Sequence, residues 1–297
     1  MPEPLVVDAG VLRDWPLPEP GSDKEERGRL LVVAGTRDTP GAGLLATLAA
    51  LRAGAGKVRL FTAESCAAPL AVDAPELMVT GLAEDDTGSI DTREAGRLLE
   101  PARESHAVLL GPGFTDPDAS AALVDVVVPT LTGTVVLDAL ASAFVTEDPE
   151  QVADLDATVV LTVNPSELAH CLGVSEDDVK ADLVGHTATL ARRTDAVVLC
   201  GGSSKVVAHG GDLWCVEAGN PGLGTAGSGD VQAGLVTGLL GRGADAVQAA
   251  VWGAFLHASA GDRVAARVGP VGYLARELLD QVPVLLGELG TGSDRHD

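Results

Sequence analysis

Twelve consecutive residues, Gly219-Asn-Pro-Gly-Leu-Gly-Thr-Ala-Gly-Ser-Gly-Asp230, hold five glycines and end in a carboxylate. The apolar segment Val231–Leu240 follows at once, with a length that suits a helix. Glycine lets successive backbone N–H groups converge and lets a bulky anion approach the main chain. The start of a helix adds unpaired N–H donors and the positive end of its dipole, so the junction suits a phosphate. Asp230 stands at that junction, where a carboxylate is stabilised as the anion and can accept a proton. It is therefore a candidate general base beside a phosphate cradle. The structural alternative is that Asp230 caps a helix on a glycine-rich turn. No Lys-Ser/Thr pair follows the glycines, so this is not a Walker P-loop.

Such a loop needs a scaffold, and the rest of the chain supplies a regular one. Strand-like runs fall at Arg29–Ala34, Lys57–Thr62, Leu77–Thr80, Ala107–Leu110, Thr134–Leu137, Ala157–Thr162 and Asp195–Leu199. Helix-like stretches lie at Leu44–Ala53, Thr92–Arg103, Ala119–Val128 and Asp177–Arg193. Continuous β-branched runs alternating with helices predict buried parallel strands joined by right-handed crossovers. After Leu199, Lys205–Ala208 and Leu213–Val216 flank a His-Gly-Gly-Asp turn and read as an antiparallel hairpin. Helices at Val231–Leu240, Ala244–Arg267 and Val271–Leu279 close the chain. The expectation is an α/β fold with a central, mostly parallel sheet. Residues 1–28 read as an N-terminal extension, 29–285 as one domain and 286–297 as a flexible tail. Ligands in such sheets bind beyond the carboxyl ends of the strands.

Composition narrows the function classes. A net charge of −23 with four lysines argues against nucleic-acid or anionic-membrane binding. A phosphate ligand then needs local backbone donors or a cation such as Mg2+. No apolar run of membrane-spanning length and no signal-peptide pattern is found, so a soluble cytoplasmic protein is expected. Cys66, Cys171, Cys200 and Cys215 are scattered with no C-x-x-C pair, which predicts free thiols in a reducing compartment.

Five strand ends carry unusual residues. The first is Ala34-Gly-Thr-Arg-Asp-Thr-Pro-Gly-Ala-Gly43, within which Gly41-x-Gly43-x-x-Ala46 fits a loose dinucleotide fingerprint with Glu64 about twenty residues on. Five residues, one of them a proline, separate Gly35 from Gly41, whereas dinucleotide-binding glycines end their strand directly. The second is Gly111-Pro-Gly113, which as a local signal is a turn. The third is Asp138 at the end of Val135-Val-Leu, a helix cap or a site residue. The fourth is Leu161-Thr-Val-Asn164-Pro-Ser-Glu167, and the fifth Val197-Val-Leu-Cys200-Gly-Gly-Ser-Ser204. His257, within Trp252-Gly-Ala-Phe-Leu-His, sits on an apolar helix and reads as a packed core histidine; Arg263 and Arg267 read as a solvated face.

Taken together these motifs resemble ribokinase-like enzymes, and in particular the ADP/ATP-dependent NAD(P)H-hydrate dehydratases. The glycine loop resembles that family's GNPGMATGGSGD signature. The other four stretches resemble its G-(S/T)-x-x-x-x-P-G-A-x-L-L-A, strand-then-GPG, LTPHPGEF and VVLKG segments, and Asp138-Ala-Leu its DADAL or DAGAL. The likeness spans roughly residues 24–285 and implies a three-layer α/β/α fold. It implies that Ala42, Gly113, Asn164 and Asp230 contact the NAD(P)H hydrate. It assigns ADP or ATP to Cys200, Gly201, Gly202, Ser203, Ser204 and Gly229, with Gly227, Ser228 and Gly229 as anion hole. For Mg2+ it offers Asp138, acting through water, and Glu167. A homotetramer is implied too.

Four positions depart from the family pattern, among them Leu140, where many members carry the second Asp, and Ser166, which replaces a glycine. Asn164 replaces a histidine; it keeps a neutral hydrogen bond but carries no charge. Cys200 replaces a lysine near the nucleotide phosphates, a loss that weakens ADP binding unless Lys205 or an arginine substitutes. The reaction implied is transfer of the nucleotide's terminal phosphoryl to the C6 hydroxyl of the hydrate, with elimination of phosphate. Three alternatives stand beside it: a small-molecule hydroxyl kinase of the same fold, a non-catalytic nucleotide-binding relative, and an NAD(P)-dependent oxidoreductase using Gly41 to Ala46.

Overall fold

The computed structural model describes residues 2–146, 148–202 and 204–290. Ten strands build one sheet: β1 Leu5–Val6, β2 Arg29–Val33, β3 Lys57–Ala63, β4 Met78–Leu82, β5 Ala107–Leu110, β6 Thr134–Asp138, β7 Thr158–Val163, β8 Val197–Cys200, β9 Lys205–His209 and β10 Asp212–Val216. Their spatial order is β1-β10-β9-β8-β7-β6-β5-β2-β3-β4. Strands β2 to β8 pair in parallel, and β9 runs against both its neighbours, β8 and β10, so the hairpin forms as expected.

Both sheet faces are buried, which is why the strands are apolar without a break. In β2, Leu30 and Val32 face one layer and Leu31 and Val33 the other. The first layer contains the helices Pro40–Arg52, Ser228–Gly241 and Ala246–Val268; the second contains Pro117–Val127, Pro165–Leu172 and Leu183–Thr194. This is the three-layer α/β/α arrangement. Among the described residues no helix is long and apolar enough to cross a membrane.

Boundaries moved where a polar side chain seized the backbone. The stretch read as one helix over Asp177–Arg193 is two, Glu176–Ala181 and Leu183–Thr194, because Asp182 accepts from the Gly185 amide at 2.9 Å and starts a new N-terminus. Asp195, assigned to a strand, ends that second helix in the left-handed region at φ 52°. The N-terminal segment does more than pack on the domain: Leu5–Val6 pairs with β10 as an edge strand. Trp15 stacks on Trp214 and its carbonyl accepts from Trp252 Nε1 at 3.0 Å. Within the stretch read as a tail from residue 286, the helix Val282–Gly290 continues and Leu289 is buried. Residues 291–297 lie outside the described residues.

The sheet reverses its winding between β2 and β5: β3 and β4 follow on one side, β5 to β8 on the other. A crevice forms at the strand ends of such a switch point. Two helices are locked in parallel beside it by small residues. A Cβ on Gly234 would lie 2.2 Å from the Ala46 carbonyl oxygen, and one on Gly238 would lie 2.5 Å from that of Ala50. Glycine at this four-residue spacing lets Ser228–Gly241 lie against Pro40–Arg52, so both N-termini open at the same end of the sheet.

Candidate functional site

The glycine loop reaches its helix under restraint. Asp262 Oδ2 accepts from the Gly219 amide at 2.9 Å and its Oδ1 from Asn220 Nδ2 at 3.0 Å. Asn220 Oδ1 in turn accepts from the Gly222 amide and from the Tyr273 hydroxyl, both at 3.0 Å. Gly227 then takes φ 87° as the N-cap, and no side chain caps the helix. The first amide to bond back is that of Val231, to the Gly227 carbonyl. The amides of Gly229 and Asp230 therefore precede the intrahelical ladder, while that of Ser228 donates to the Thr225 carbonyl at 3.2 Å. Below the turn, His257 Nε2 lies 2.9 Å from both Oγ and the carbonyl of Ser228, so this buried histidine fixes the first helical residue.

A cleft of about 690 Å³ opens at this N-terminus. It gathers Asp138 and Thr162 from the ends of β6 and β7, Asn164 and Glu167 from the next loop and helix, Gly201 and Gly202 after β8, Lys205, and the loop with Gly227, Ser228, Gly229 and Asp230. Three carboxylates share it. Burial pushes Asp230 up to about 6, so it is ionised at neutral pH yet more basic than an ordinary aspartate. Burial, then the charge of Glu167, raises Asp138 well above the usual range, against a 2.7 Å hydrogen bond from Thr162 Oγ1. Burial raises Glu167 as well, with a further upward push from Asp230. The backbone around Asp138 is held tightly: Ala139 is left-handed at φ 49°, and a Cβ on Gly111 would lie 1.9 Å from the Asp138 carbonyl oxygen.

The structure thus brings together nine of the site residues singled out in the sequence: Asp138, Asn164, Glu167, Gly201, Gly202, Gly227, Ser228, Gly229 and Asp230. Ala42 and Gly113 do not line it but meet each other at the switch point. A Cβ on Gly113, at φ 70°, would lie 2.6 Å from Ala42 Cβ, and Thr39 Oγ1 donates to the Gly113 carbonyl at 2.5 Å. Cys200 is a correction: its side chain is fully buried in the second layer and is not among the residues lining the cleft, and burial pushes its thiol up to about 12. Ser204 is not among the lining residues either, and Ser203 lies outside the described residues. The glycines Gly41 and Gly43 sit inside the helix Pro40–Arg52 and do not end a strand, so the dinucleotide-fingerprint alternative has no turn to rest on.

Similarity to known proteins accords with this geometry. A model of the NAD(P)H-hydrate dehydratase family matches residues 30–284. The chain belongs to that family. It is 43% identical to the ADP-dependent (S)-NAD(P)H-hydrate dehydratase of Xanthomonas campestris, over 98% of this chain and 99% of that one. The ADP/ATP-dependent NAD(P)H-hydrate dehydratase of Bacillus subtilis, co-crystallised with ATP and Mg2+, superposes with a TM-score of 0.84 at 27% identity, over 96% and 98% of the two chains. A ribokinase-like superfamily protein of Enterococcus faecalis shares the fold, with a TM-score of 0.81 at 20% identity over 96% of each chain. The chain spans about half the length of the bifunctional NAD(P)H-hydrate repair enzymes that it also matches.

Whether Mg2+ suits this family member is a question of donors. Among the described residues no three His, Cys, Asp or Glu side chains converge as a complete metal site. Two carboxylates that repel one another, Asp138 and Glu167, with hard oxygen donors and room in the cleft, fit an ion that keeps its waters and takes its other ligands from phosphates. Sequence reasoning missed four contributors. Thr162 was hidden because a threonine in a strand is ordinary, and Gln232 because it lies inside an apolar helix. Asp262 and Tyr273 are distant in sequence from the loop they hold.

Proposed function

We propose that this chain dehydrates (6S)-NAD(P)H hydrate with ADP as the phosphoryl donor, a metabolite-repair reaction. The hydrate carries a hydroxyl at C6 of its reduced ring; hydroxide leaves poorly, phosphate well. The hydroxyl oxygen attacks the terminal phosphorus of ADP, its proton passes to Asp230, and AMP departs with the electron pair of the broken P–O bond. Phosphate then leaves C6 while a proton leaves C5, which restores the ring double bond.

The observation that carries this reading is one juxtaposition. A carboxylate with its proton affinity raised to about pH 6 stands in the first turn of an uncapped helix N-terminus. Base and anion hole are then offered together, as phosphoryl transfer to a hydroxyl requires. Gly227 to Gly229 would face the phosphoryl group, and Gly201 and Gly202 would leave room for the nucleotide. Ala42 and Gly113 would contact the hydrate from the switch point. Mg2+, when bound, supplies charge neutralisation on the phosphates, and Asp138, through water, and Glu167 would hold it.

The protein would act in the cytoplasm, where its free cysteines stay reduced. A homotetramer, implied by the family resemblance, would cover the apolar surface of Met78 on the edge strand β4 and of Val72 on the helix before it. The reaction is tested by stoichiometry. Hydrate, ADP and Mg2+ are expected to yield one AMP and one phosphate for each NADH regenerated. Asp230→Asn is expected to lose at least about a hundredfold in rate, and a near-normal rate would sink the assignment.

A further inference from the structure

Lys205 is the one Lys or Arg side chain among the residues lining the cleft. It opens β9 and is only 5% exposed. Alternation along the strand puts it on the face of Val207, toward the helices Ser228–Gly241 and Ala246–Val268, whereas Cys200 and Ala208 face the other layer. None of the ion pairs among the described residues includes it. Its surroundings are also short of partners. Gln232 Oε1 and His257 Nδ1 are buried without a hydrogen bond. At Gly201 a Cβ would stand 3.8 Å from Lys205 Nζ and 3.7 Å from Gln232 Nε2, in ordinary contact, so the glycine leaves this end of the cleft open without being demanded by packing.

A buried ammonium without an ion-pair partner is disfavoured unless an anion enters beside it. The cleft otherwise presents Asp138, Glu167 and Asp230, which repel a phosphate. We infer that Lys205 is a nucleotide-binding residue whose ammonium receives a phosphate of ADP, beside Gln232 Nε2 and the bare backbone of Gly201 and Gly202. The inference rests on ADP occupying this cleft. A diphosphate could equally belong to the coenzyme hydrate. The nucleotide is favoured because Lys205 lines the same cleft as the loop at Gly227 to Gly229, and Ala42 and Gly113 are not part of that lining. Burial lowers Lys205 to about 8, so a phosphate that arrives near that pH should draw a proton onto the amine. The ionisable groups around it are Cys200, on the opposite face of the neighbouring strand β8, His257 from the helix Ala246–Val268, and the three carboxylates that line the same cleft.

The test is calorimetric titration of the full chain with Mg2+ and ADP, and separately with NADH, near pH 8 in buffers of different ionisation enthalpy. Lys205→Met is expected to weaken ADP binding at least tenfold, to leave NADH binding unchanged and to abolish the proton uptake that accompanies ADP. Loss of uptake in the variant separates the lysine's proton from those of its neighbours. Lys205→Arg should recover most of the affinity. A thermal melt checks the fold, and Lys205→Gln serves if the methionine variant melts low. A folded neutral variant that binds ADP as tightly as the parent overturns the inference while leaving the proposed reaction standing. Weakened NADH binding with intact ADP binding overturns the assignment to the nucleotide. If the parent protein binds no ADP at all, the proposed reaction falls and the inference with it.

Discussion

Asn164 and Glu167 cap each other. The Asn164 carboxamide oxygen accepts from the Glu167 amide, and Glu167 Oε2 accepts from the Asn164 amide, both at 2.9 Å. The reciprocal pair starts the helix Pro165–Leu172 and aims Glu167 into the cleft. Asn164 is thus committed through its oxygen to the backbone, and only its Nδ2 remains to donate to a ligand. Asn164→Ala should cost about 1 kcal/mol of stability, read by urea unfolding, and should lower activity through a misaimed Glu167. A variant as stable as the parent would show that the cap is not doing this.

Two glycines at the start of the helix Ser228–Gly241 are glycine for different reasons. At Gly227 the backbone is left-handed and a Cβ would meet Leu45 Cδ1 at 2.4 Å; at Gly229 a Cβ would meet nothing within 4 Å. Gly227→Ala should therefore destabilise the fold, by about 1 kcal/mol or more from backbone strain alone. Gly229→Ala should melt like the parent and still bind ADP more weakly, since its methyl group stands in the cleft. Paired melting curves and ADP titrations check both.

Asp230 predicts a pH signature in activity and the opposite one in stability. A base must be ionised to act, so kcat/KM should fall on the acid side with a midpoint near pH 6. Burial raises the folded-state value from its ordinary 3.8, so the folded protein holds the proton more tightly than the unfolded chain. The stability contribution is then fully present below pH 3.8 and is lost as pH rises through about 6. Asp230→Asn should consequently raise the melting temperature at pH 8 more than at pH 4. Equal shifts at both would show that the carboxylate is not held in a desolvated place.

The latch on the glycine loop is a further point of leverage. Tyr273→Phe removes the hydroxyl that donates to Asn220 Oδ1 and should cost about 1 kcal/mol. Because Asn220 also holds the Gly222 amide, the variant should raise KM for ADP more than it lowers kcat. An unchanged KM would mean that the loop holds its shape without this clamp.

Much of this was legible in the sequence. The parallel sheet showed in unbroken apolar runs such as Leu30 to Val33, because burial on both faces removes any need for polar alternation. The uncapped helix start showed because its demands fall on consecutive residues, from Gly227 to Asp230. What failed to show depends on contacts across the chain. Cys200 shares a strand end with Gly201, yet only the pairing of β8 with β9 reveals that its thiol turns to one face and Lys205 to the other. The meeting of Ala42 with Gly113, and the hold of Asp262 on Gly219, join loops far apart in sequence. The edge strand Leu5–Val6 is two residues long and carries no periodicity to read.

The most direct test follows the return of reduced-nicotinamide absorbance from purified NADH hydrate with Mg2+ and either ADP, ATP or no nucleotide. The account predicts full recovery of the S epimer with ADP, none without a nucleotide, and none with Asp230→Ala. Recovery that needs no nucleotide, or that persists in Asp230→Ala, would contradict it.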